Sequence, residues 1–513
     1  MAKRYDVVIV GGGHNGLVAA CYLALAQKKV LIVETNPEIG GAAVSAEIFS
    51  SLGANISRYA YLVSLLPDQI LADLSINFET KSRTISSYTP TFDGVDTGLL
   101  VERNLGEESK KSFRDLSGDE SELLQWEKFY GELLKLAILL APTLLQPLRT
   151  RAEMRELATS AGLGEIWNQI IEAPIGETLR ERFRNDLVRG VVLTDALIGT
   201  FAPADSFMAN KCFLYHLIGN STGEWKVPVG GMGELTRKLA TRAQELGVEV
   251  RTRSQVVKIE EHQDYLSVSI NGGETIESHF IAANCAPQVL AELMGNPIPT
   301  SAPGSQVKIN LLLKKLPRLK SGMDPLKAFG GTLHINEGYS QLERAYQESS
   351  AGIIPAVIPA EMYCHTITDP SALSKELNNL GYQTLTLFAL HLPYALFKQD
   401  NEGTKSVVLA RLFSQLNEYL ADPIESCLAS DANGDLCVEV KSPVDLEGSL
   451  GMPLGNIFHK ELDFPFKEEG DGARWGTETD SQRIFICGAG SLRGGGVSGI
   501  GGHNAAMAIL EAI

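Results

Sequence analysis

The first 41 residues alternate short apolar runs with glycine-rich turns. Residues 7–10 are wholly apolar, which predicts a parallel strand buried on both faces. An apolar helix-length segment follows, and residues 30–33 predict a second buried strand. This order predicts a βαβ unit and, for the chain, the α/β fold class.

A glycine loop follows the first strand at once. Gly11, Gly13 and Gly16 have G-x-G-x-x-G spacing, and Glu34 ends the second strand. In this motif the glycines allow a tight turn, close approach of the backbone to a pyrophosphate, and close packing of the helix. The acid accepts hydrogen bonds from a ribose hydroxyl. The strand, loop, helix and acid together predict a dinucleotide site.

Both FAD and NAD use this unit, and the pair Gly40-Gly41 favours FAD. The pair lies six residues beyond Glu34. This extension resembles the FAD-binding branch of the fold, in which a double glycine keeps the chain close to the flavin nucleotide.

The later pattern predicts two interwoven domains. Helical periodicity dominates residues 116–185, whereas residues 248–286, 305–316, 383–392 and 484–487 have the pattern of strands. We expect a helical insertion in a second, α+β substrate domain. The predicted FAD-binding domain comprises residues 1–75, 223–300 and 470–513, and the substrate domain comprises residues 76–222 and 301–469.

The charge and cysteine content exclude several classes of function. The net charge is −17 over 513 residues, which argues against nucleic acid as a partner. Seven scattered cysteines indicate a reduced compartment, and the early first strand leaves no room for a signal peptide, so we expect a cytoplasmic protein. No metal-ligand spacing occurs, so a metalloenzyme is not expected, and a hydrolase is not expected either.

Residues 133–148 form the most apolar stretch, and two interpretations stay open. The stretch is either a buried or cleft-lining helix broken at Pro142, or an exposed patch that meets an apolar substrate or a membrane surface. Peripheral membrane contact and a homodimer are both left open.

Six motifs occur in order along nearly the whole chain: VVIVGGGHNGLVAA, IGGAAVSAEI, SRYAYLVSLL, VPVGGMGEL, GNIFH and CGAGSLRGGGVSGIGGHNAA. With these motifs the chain resembles the phytoene desaturase group of FAD-dependent oxidoreductases. Within that group it resembles the pyridine nucleotide-disulfide oxidoreductase domain-containing protein 2 type. The resemblance implies a Rossmann-like FAD-binding domain of the amine-oxidase-like (GR2) type.

The resemblance also implies which residues bind FAD. By position these are Gly11, Gly13, His14, Asn15, Gly16, Glu34, Gly41, Ala42, Ala43, Val257, Gly490, Val497 and Ile500. Val257 resembles the residue whose backbone meets the adenine, and the last three lie beside the isoalloxazine ring. His14 is expected to orient the loop or the flavin rather than act as a base.

Two departures limit what is carried over. Related proteins have a His-Pro-containing triplet where this chain has residues 491–493, Ser-Leu-Arg. Disulfide reductase chemistry is not expected, because a reactive cysteine pair is missing and the middle glycine loop, residues 230–233, lacks nucleotide-binding spacing. Electrons would then pass from substrate to flavin and on to oxygen, a quinone or another carrier.

Three residues are candidates for the chemistry. His459 is expected on the substrate side, where a histidine can titrate near neutral pH. Arg58 could hold a carboxylate or phosphate, and Tyr61 could stack or donate a proton. Each also has a purely structural interpretation, as a loop hydrogen bond, a salt bridge and an aromatic core contact.

The sequence predicts an FAD-dependent desaturase or dehydrogenase that removes a hydride from a hydrophobic, isoprenoid or lipid-like substrate. The alternative is a flavoprotein that acts through protein interaction or non-redox chemistry, isomerisation included, because one fold hosts many reactions.

Replacing Glu34 by Ala tests the cofactor assignment. Loss of the ribose-binding carboxylate should weaken FAD retention. The flavin content of the purified variant, measured by absorbance, checks this. An unchanged flavin content would contradict the role assigned to Glu34.

Overall fold

The computed structural model of the protein describes residues 4–50, 52–91 and 98–513. The strands, numbered in chain order, are β1 (Arg4–Val10), β2 (Val30–Val33), β3 (Ser45–Ala46), β4 (Ile56–Ser57), β5 (Thr80–Lys81), β6 (Ile85–Thr89), β7 (Leu99–Glu102), β8 (Val227–Pro228), β9 (Glu249–Arg251), β10 (Val256–Glu261), β11 (Leu266–Ile270), β12 (Thr275–Ala283), β13 (Val307–Leu313), β14 (Thr332–Ile335), β15 (Ala360–Tyr363), β16 (Gln383–Ala389), β17 (Val438–Lys441) and β18 (Ile484–Ile486).

The helices connect and cover these strands. They are α1 (His14–Leu25), α2 (Asp68–Asp73), α3 (Glu107–Ser117), α4 (Ser121–Leu140), α5 (Arg151–Ser160), α6 (Gly164–Trp167), α7 (Ile175–Arg182), α8 (Asp186–Thr194), α9 (Phe207–Ile218), α10 (Met232–Glu245), α11 (Pro287–Met294), α12 (Pro325–Ala328), α13 (Tyr339–Ser350), α14 (His365–Thr368), α15 (Lys375–Asn379), α16 (Asn401–Tyr419), α17 (Ile424–Cys427), α18 (Pro443–Leu450) and α19 (Ile500–Ala512). Short 3₁₀ turns are Ala141–Leu145, Pro370–Ala372, Tyr394–Leu396 and Pro453–Gly455, and Asn168–Glu172 is a π turn.

The first sheet is the predicted Rossmann-like sheet, and the α/β fold class is confirmed. Strands β18, β12, β1, β2 and β9 are parallel neighbours in that order. Strand β11 pairs antiparallel with β12, and β10 pairs antiparallel with β11. Val8 of β1 lies opposite Leu31 and Ile281, and all three are fully buried. The carboxyl ends of β1, β2 and β18 therefore open at one edge, where a nucleotide binds in such folds.

The second sheet has the strand order β17-β13-β16-β15-β14-β6-β7. Only β14 and β6 are parallel neighbours among its described strands. The strands predicted at residues 305–316 and 383–392 are β13 and β16, which pair directly. All strands of this sheet lie in residues 76–222 and 301–469, whereas those of the first sheet lie in residues 1–75, 223–300 and 470–513. The domain boundaries themselves stay a prediction.

A helical insertion, α3 to α9, separates β7 from β8, as the helical periodicity predicted. Helix α4 ends at Leu140, two residues before Pro142, and a 3₁₀ turn, Ala141–Leu145, continues the chain. Leu133 and Leu136 are at most 2% exposed, whereas Leu134 and Ile138 are 45% and 52% exposed. The apolar stretch thus has one buried and one exposed face. Within the described residues, no helix is long and apolar enough to cross a membrane.

Helix α19 returns the end of the chain to its beginning by packing on α1. A Cβ added at Gly502 would lie 2.1 Å from the carbonyl oxygen of Asn15. Ala505 and Ala506 are fully buried in the same interface. The small residues of α19 allow this close approach, which brings the C-terminal glycine loop beside the first one.

Replacing Gly502 by Ala should separate the two helices, because the added methyl group has no room. We expect the variant to lose about 1–3 kcal/mol of unfolding free energy. The matched control is Gly131→Ala in the middle of α4, where a Cβ would meet nothing within 4 Å. This control should change stability by less than about 1 kcal/mol, toward greater stability. Denaturant unfolding of the two variants checks both expectations, and equal losses would contradict the packing argument.

Candidate functional site

The first glycine loop has the geometry of a pyrophosphate cradle. Gly11 has φ of +103°, and its N–H donates to the carbonyl of Val33 at 2.8 Å. A Cβ at Gly16 would lie 2.5 Å from the carbonyl oxygen of Gly11, so only glycine lets α1 begin this close to the turn. No described side chain caps α1 at Gly13, and the first helical N–H groups can therefore face an anion.

The Glu34 carboxylate organises the loop and faces the same space. One oxygen accepts a hydrogen bond from the Gly12 N–H at 2.7 Å, and the other accepts one from the Asn36 N–H at 2.7 Å. The residue is 8% exposed and lines the cavity described below. Each oxygen keeps a lone pair for a ribose hydroxyl, so the position fits the predicted role.

The double glycine lies against the first loop. The Gly40 N–H donates to the Gly12 carbonyl at 2.8 Å, and a Cβ at Gly41 would lie 3.2 Å from the Gly13 Cα. Ala42 lines the cavity with Gly41. Ala43 is fully buried behind them, where its carbonyl accepts a hydrogen bond from Thr236 at 2.7 Å.

The C-terminal loop meets the first loop through His14, whose Nε2 lies 3.0 Å from the Gly496 carbonyl oxygen. Burial lowers the pKa of His14 to about 4, so its ring is neutral at pH 7. Val497 lines the cavity, whereas Ile500 is 2% exposed in the core. Gly490 is pressed against Pro287, where a Cβ would be 2.5 Å from Cδ. The two ends of the chain thus form one continuous surface.

These residues fit a dinucleotide cofactor. The Asn15 side-chain oxygen is buried at the cradle, and it has no hydrogen-bond partner among the described residues, although Asn15 lines the cavity. Buried polar atoms are ordinarily hydrogen-bonded, so this atom points to a missing ligand group. With Glu34 and the uncapped helix it would hold the nucleotide portion of the cofactor.

The contact predicted between the Val257 backbone and the adenine stays a prediction. The Val257 side chain is 51% exposed, whereas its neighbours Gln255 and Val256 line the cavity. The ladder between β10 and β11 is irregular between Val256 and Lys258, which turns the Val257 side chain outward.

A single cavity of about 1080 Å³ connects the two glycine loops with the helical insertion and the second sheet. Its wall in the insertion is mainly apolar and aromatic. These lining residues are Trp126, Tyr130, Leu133, Leu134, Val191 and Ile198. The volume exceeds what most small ligands need and leaves room for a cofactor and a large substrate.

His459 lies on the cavity wall, and its catalytic role stays a prediction. Burial, with a smaller contribution from the charge of His14, lowers its pKa to about 4. Its φ is +64°, an unusual conformation for a residue with a Cβ, and its Nδ1 is buried without a described partner. A neutral, unpartnered imidazole held in this way can orient a ligand by a hydrogen bond.

The other two catalytic candidates differ. Tyr61 lines the cavity, and its ring lies 4.9 Å from that of Tyr363. Arg58 does not line the cavity, because its Nε and Nη2 donate to one oxygen of Glu439 at 2.9 and 2.7 Å. The structural interpretation of Arg58 as a salt bridge therefore accounts for its position.

Sequence reasoning missed a buried polar cluster at the cavity wall formed by the second sheet. Glu361 of β15 is 1% exposed, and its Oε1 has no described hydrogen-bond partner. Burial and the charge of Glu337 raise the pKa of Glu361 to about 8. Arg83, which precedes β6, is 8% exposed, and its guanidinium lies 5.7 Å from the centre of the Tyr363 ring.

His334 and Asp195 complete this cluster. His334 Nδ1 lies 2.5 Å from Glu337 Oε2, and that carboxylate also accepts a hydrogen bond from Thr194 at 2.8 Å. Burial opposes protonation, but the charge of Glu337 raises the pKa of His334. Burial raises the pKa of Asp195 to about 6. The sequence signal was a charged residue within an otherwise apolar strand.

Lys308 of β13 carries the same signal. It is 5% exposed, lines the cavity and donates to the carbonyls of Ser57 and Tyr59, both at 2.7 Å. Burial lowers its pKa well below the ordinary value. Its Nζ lies 4.8 Å from the centre of the Tyr61 ring. Lys308 thus fixes the segment that carries Tyr61 into the cavity.

Arg493, the last residue of the Ser-Leu-Arg triplet at 491–493, donates to backbone carbonyls. Its guanidinium donates to the carbonyls of Leu144, Gln146 and Pro465. Burial lowers its pKa to about 9. Asn504, at the start of α19, donates to the Leu144 carbonyl at 3.1 Å. These contacts tie the C-terminal loop to the end of α4.

Comparison with known proteins supports the fold and the cofactor. An uncharacterized protein of Mycobacterium tuberculosis is 43% identical over 526 aligned residues, which cover all of this chain and 98% of that protein. The pyridine nucleotide-disulfide oxidoreductase domain-containing protein 2 of Rattus norvegicus is 28% identical and covers all of this chain and 94% of its own length. The predicted resemblance to this type is confirmed.

A solved structure of a putrescine oxidase mutant has the same fold, with a TM-score of 0.60, 16% identity and coverage of 99% of both chains. The family model of flavin-containing amine oxidoreductases matches residues 16–313, more than half of the chain. FAD is therefore the cofactor, as predicted, and the chain is an FAD-dependent oxidoreductase. It belongs to the flavin-containing amine oxidoreductase family.

Proposed function

We propose that the protein oxidises a carbon–hydrogen bond of a large, mainly apolar substrate as a desaturase or dehydrogenase. The observation that carries the proposal is the cavity of about 1080 Å³ that extends from the FAD-binding loops to the apolar wall of α4 and α8. Bound FAD would supply a hydride acceptor, which needs no protein nucleophile. The protein residues position the substrate and exclude water.

The residues that line the cavity support a role of the protein in positioning the substrate. Trp126, Leu133 and Val191 offer apolar contact from the insertion. His459 lines the same cavity as a neutral hydrogen-bonding group, since its pKa is lowered to about 4. Tyr61 is held by the segment that Lys308 fixes. The substrate would be oriented by these contacts before oxidation.

The electron acceptor is proposed to be oxygen, a quinone or another carrier. Cys285 lines the cavity, but burial raises its pKa to about 12, which disfavours the reactive thiolate. The seven described cysteines are all free and none carries a lowered pKa. A disulfide substrate is therefore not proposed, despite the name of the rat relative.

The alternative, a flavoprotein that acts only through protein interaction, gains little support. A protein with no substrate has no use for unpartnered polar groups such as Glu361 Oε1 and His459 Nδ1 in the wall of its cavity. Leaving such groups without partners costs stability. Contact with a membrane surface and homodimer formation stay predictions.

Anaerobic mixing of the holoprotein with candidate substrates tests the function. Polyprenes, long-chain lipids and amines form the panel, and an apolar member should bleach the oxidised flavin band. In Val191→Trp, the larger side chain should block the cavity and slow bleaching at least about tenfold, with FAD content unchanged. Val407→Trp is the matched control, because Val407 of α16 is 46% exposed outside the cavity and its replacement should leave the rate unchanged.

Failure of every panel member to bleach the flavin would remove the main support for the proposal. Bleaching by small polar amines alone would instead contradict the apolar substrate class. Equal slowing in the two tryptophan variants would show that the cavity wall is not involved.

A further inference from the structure

We propose that the substrate carries a carboxylate, and that Arg83 binds this carboxylate at the end of the cavity formed by the second sheet. The substrate class is thus a long-chain or polycyclic apolar acid. This inference rests on the proposed function, because it assumes that the cavity holds the substrate that is oxidised. Beyond the proposed function, the inference states which end of the substrate the protein recognises and which side chain recognises it.

The first observation is a buried guanidinium that lacks an anionic partner. Arg83 is 8% exposed and lines the cavity, yet it forms no ion pair with any described carboxylate. Its Nη1 donates to the Thr332 hydroxyl at 3.3 Å, and its Nε is buried with no described partner. A buried charge is stable only when it is paired, so this group requires an anion from outside the chain.

The second observation is that the nearby acids are otherwise engaged. Glu224 pairs with Arg103 at 3.7 Å, and Glu337 is engaged by His334 and Thr194. Glu361 is protonated at neutral pH, because burial and the charge of Glu337 raise its pKa. The protonated carboxyl group of Glu361 is a donor, and it can bind the same anion as Arg83.

The ligand chemistry follows from these donors. One guanidinium with a neutral carboxyl group matches a singly charged planar anion, which Arg binds through two parallel hydrogen bonds. A phosphate dianion would face the carboxylates of Glu337 and Asp195. Lys308 would compensate little, because it donates to the carbonyls of Ser57 and Tyr59 and burial lowers its pKa. The apolar wall of α4 and α8 then receives the remainder of the molecule.

Three probes that share one hydrocarbon chain and differ in the head group test the proposal by their binding: oleate, methyl oleate and oleylamine. Each is titrated into oxidised holoprotein, and binding is followed by calorimetry. We expect oleate to bind at least about tenfold more tightly than methyl oleate. In Arg83→Gln this difference should fall below about threefold, with methyl oleate binding and FAD content unchanged. The matched control is Arg237→Gln, an exposed residue on α10 that should keep the full difference.

The Arg83→Lys variant provides a second test if the Arg83→Gln variant misfolds. It retains the charge and should keep part of the preference for oleate, because lysine lacks the planar fork. Equal binding of oleate and methyl oleate by the wild type would overturn the proposal, as would tighter binding of oleylamine. A failure of the proposed function can be told apart from a failure of this inference. If oleate binds through Arg83 but no apolar acid, polyprene or amine bleaches the flavin, carboxylate recognition stands and the oxidation does not.

The pH dependence of binding gives an independent check. As the pH rises through the raised pKa of Glu361, its new negative charge competes for Arg83 and repels the ligand, so oleate affinity should fall between pH 7 and pH 9. In Glu361→Gln the affinity should stay constant over this range. The other groups that face Glu361 are His334, Glu337, Asp195, Tyr363, Tyr61 and Arg83. Lys308, whose pKa is lowered, could also lose its charge as the pH rises, and oleate affinity would then fall in Glu361→Gln as well. A fall in affinity in this variant would contradict the role of Glu361.

Discussion

The architecture depends on backbone approaching backbone at three points where no side chain fits. A Cβ at Gly16 would reach the Gly11 carbonyl oxygen, one at Gly41 would press on Gly13, and one at Gly502 would overlap the Asn15 carbonyl oxygen. The first contact seats α1 on the turn, the second holds the double glycine against it, and the third brings the end of the chain to the same place. Because glycine alone permits these distances, one FAD site can be assembled from the two ends of the chain.

The substrate end of the cavity depends on side chains rather than on backbone contacts. Charged side chains are buried there, at positions where apolar side chains would make the protein more stable. Burying an ionisable group costs free energy unless a partner compensates, and each unpartnered polar atom costs about 1–3 kcal/mol. The protein compensates at Glu337 Oε2 with His334 and Thr194, but not at Arg83 Nε. Such uneven compensation within one cluster is typical of a binding site rather than of a structural network.

Local pattern was sufficient to predict the cofactor half of the protein. The strands, the two glycine loops, Glu34 and the helix break at Pro142 all depend on neighbours within a few residues, and sequence analysis located each of them. The outward turn of Val257 depends on an irregular pairing with β11, which no local pattern reveals.

The substrate half was not predictable in the same way, because its residues meet only through tertiary structure. Arg83, Lys308, His334 and Glu361 come from four separate segments that the second sheet brings to one cavity. Arg58 shows the same limit, since its partner Glu439 lies 381 residues away along the chain. The signal available in the sequence was a charged side chain within an apolar strand. Such a residue marks a position, but the sequence does not identify the residue with which it interacts.

The helix break at Pro142 explains how the two halves are held together. A proline in this position ends α4, and the chain continues as the 3₁₀ turn Ala141–Leu145. Arg493 and Asn504 donate to the Leu144 carbonyl, and Arg493 also donates to Gln146. These two residues therefore fasten the C-terminal loop and α19 to the insertion that forms the apolar wall. Because this anchor follows α4 directly in the chain, the cavity-lining side chains of α4 and the C-terminal loop are held through the same short segment.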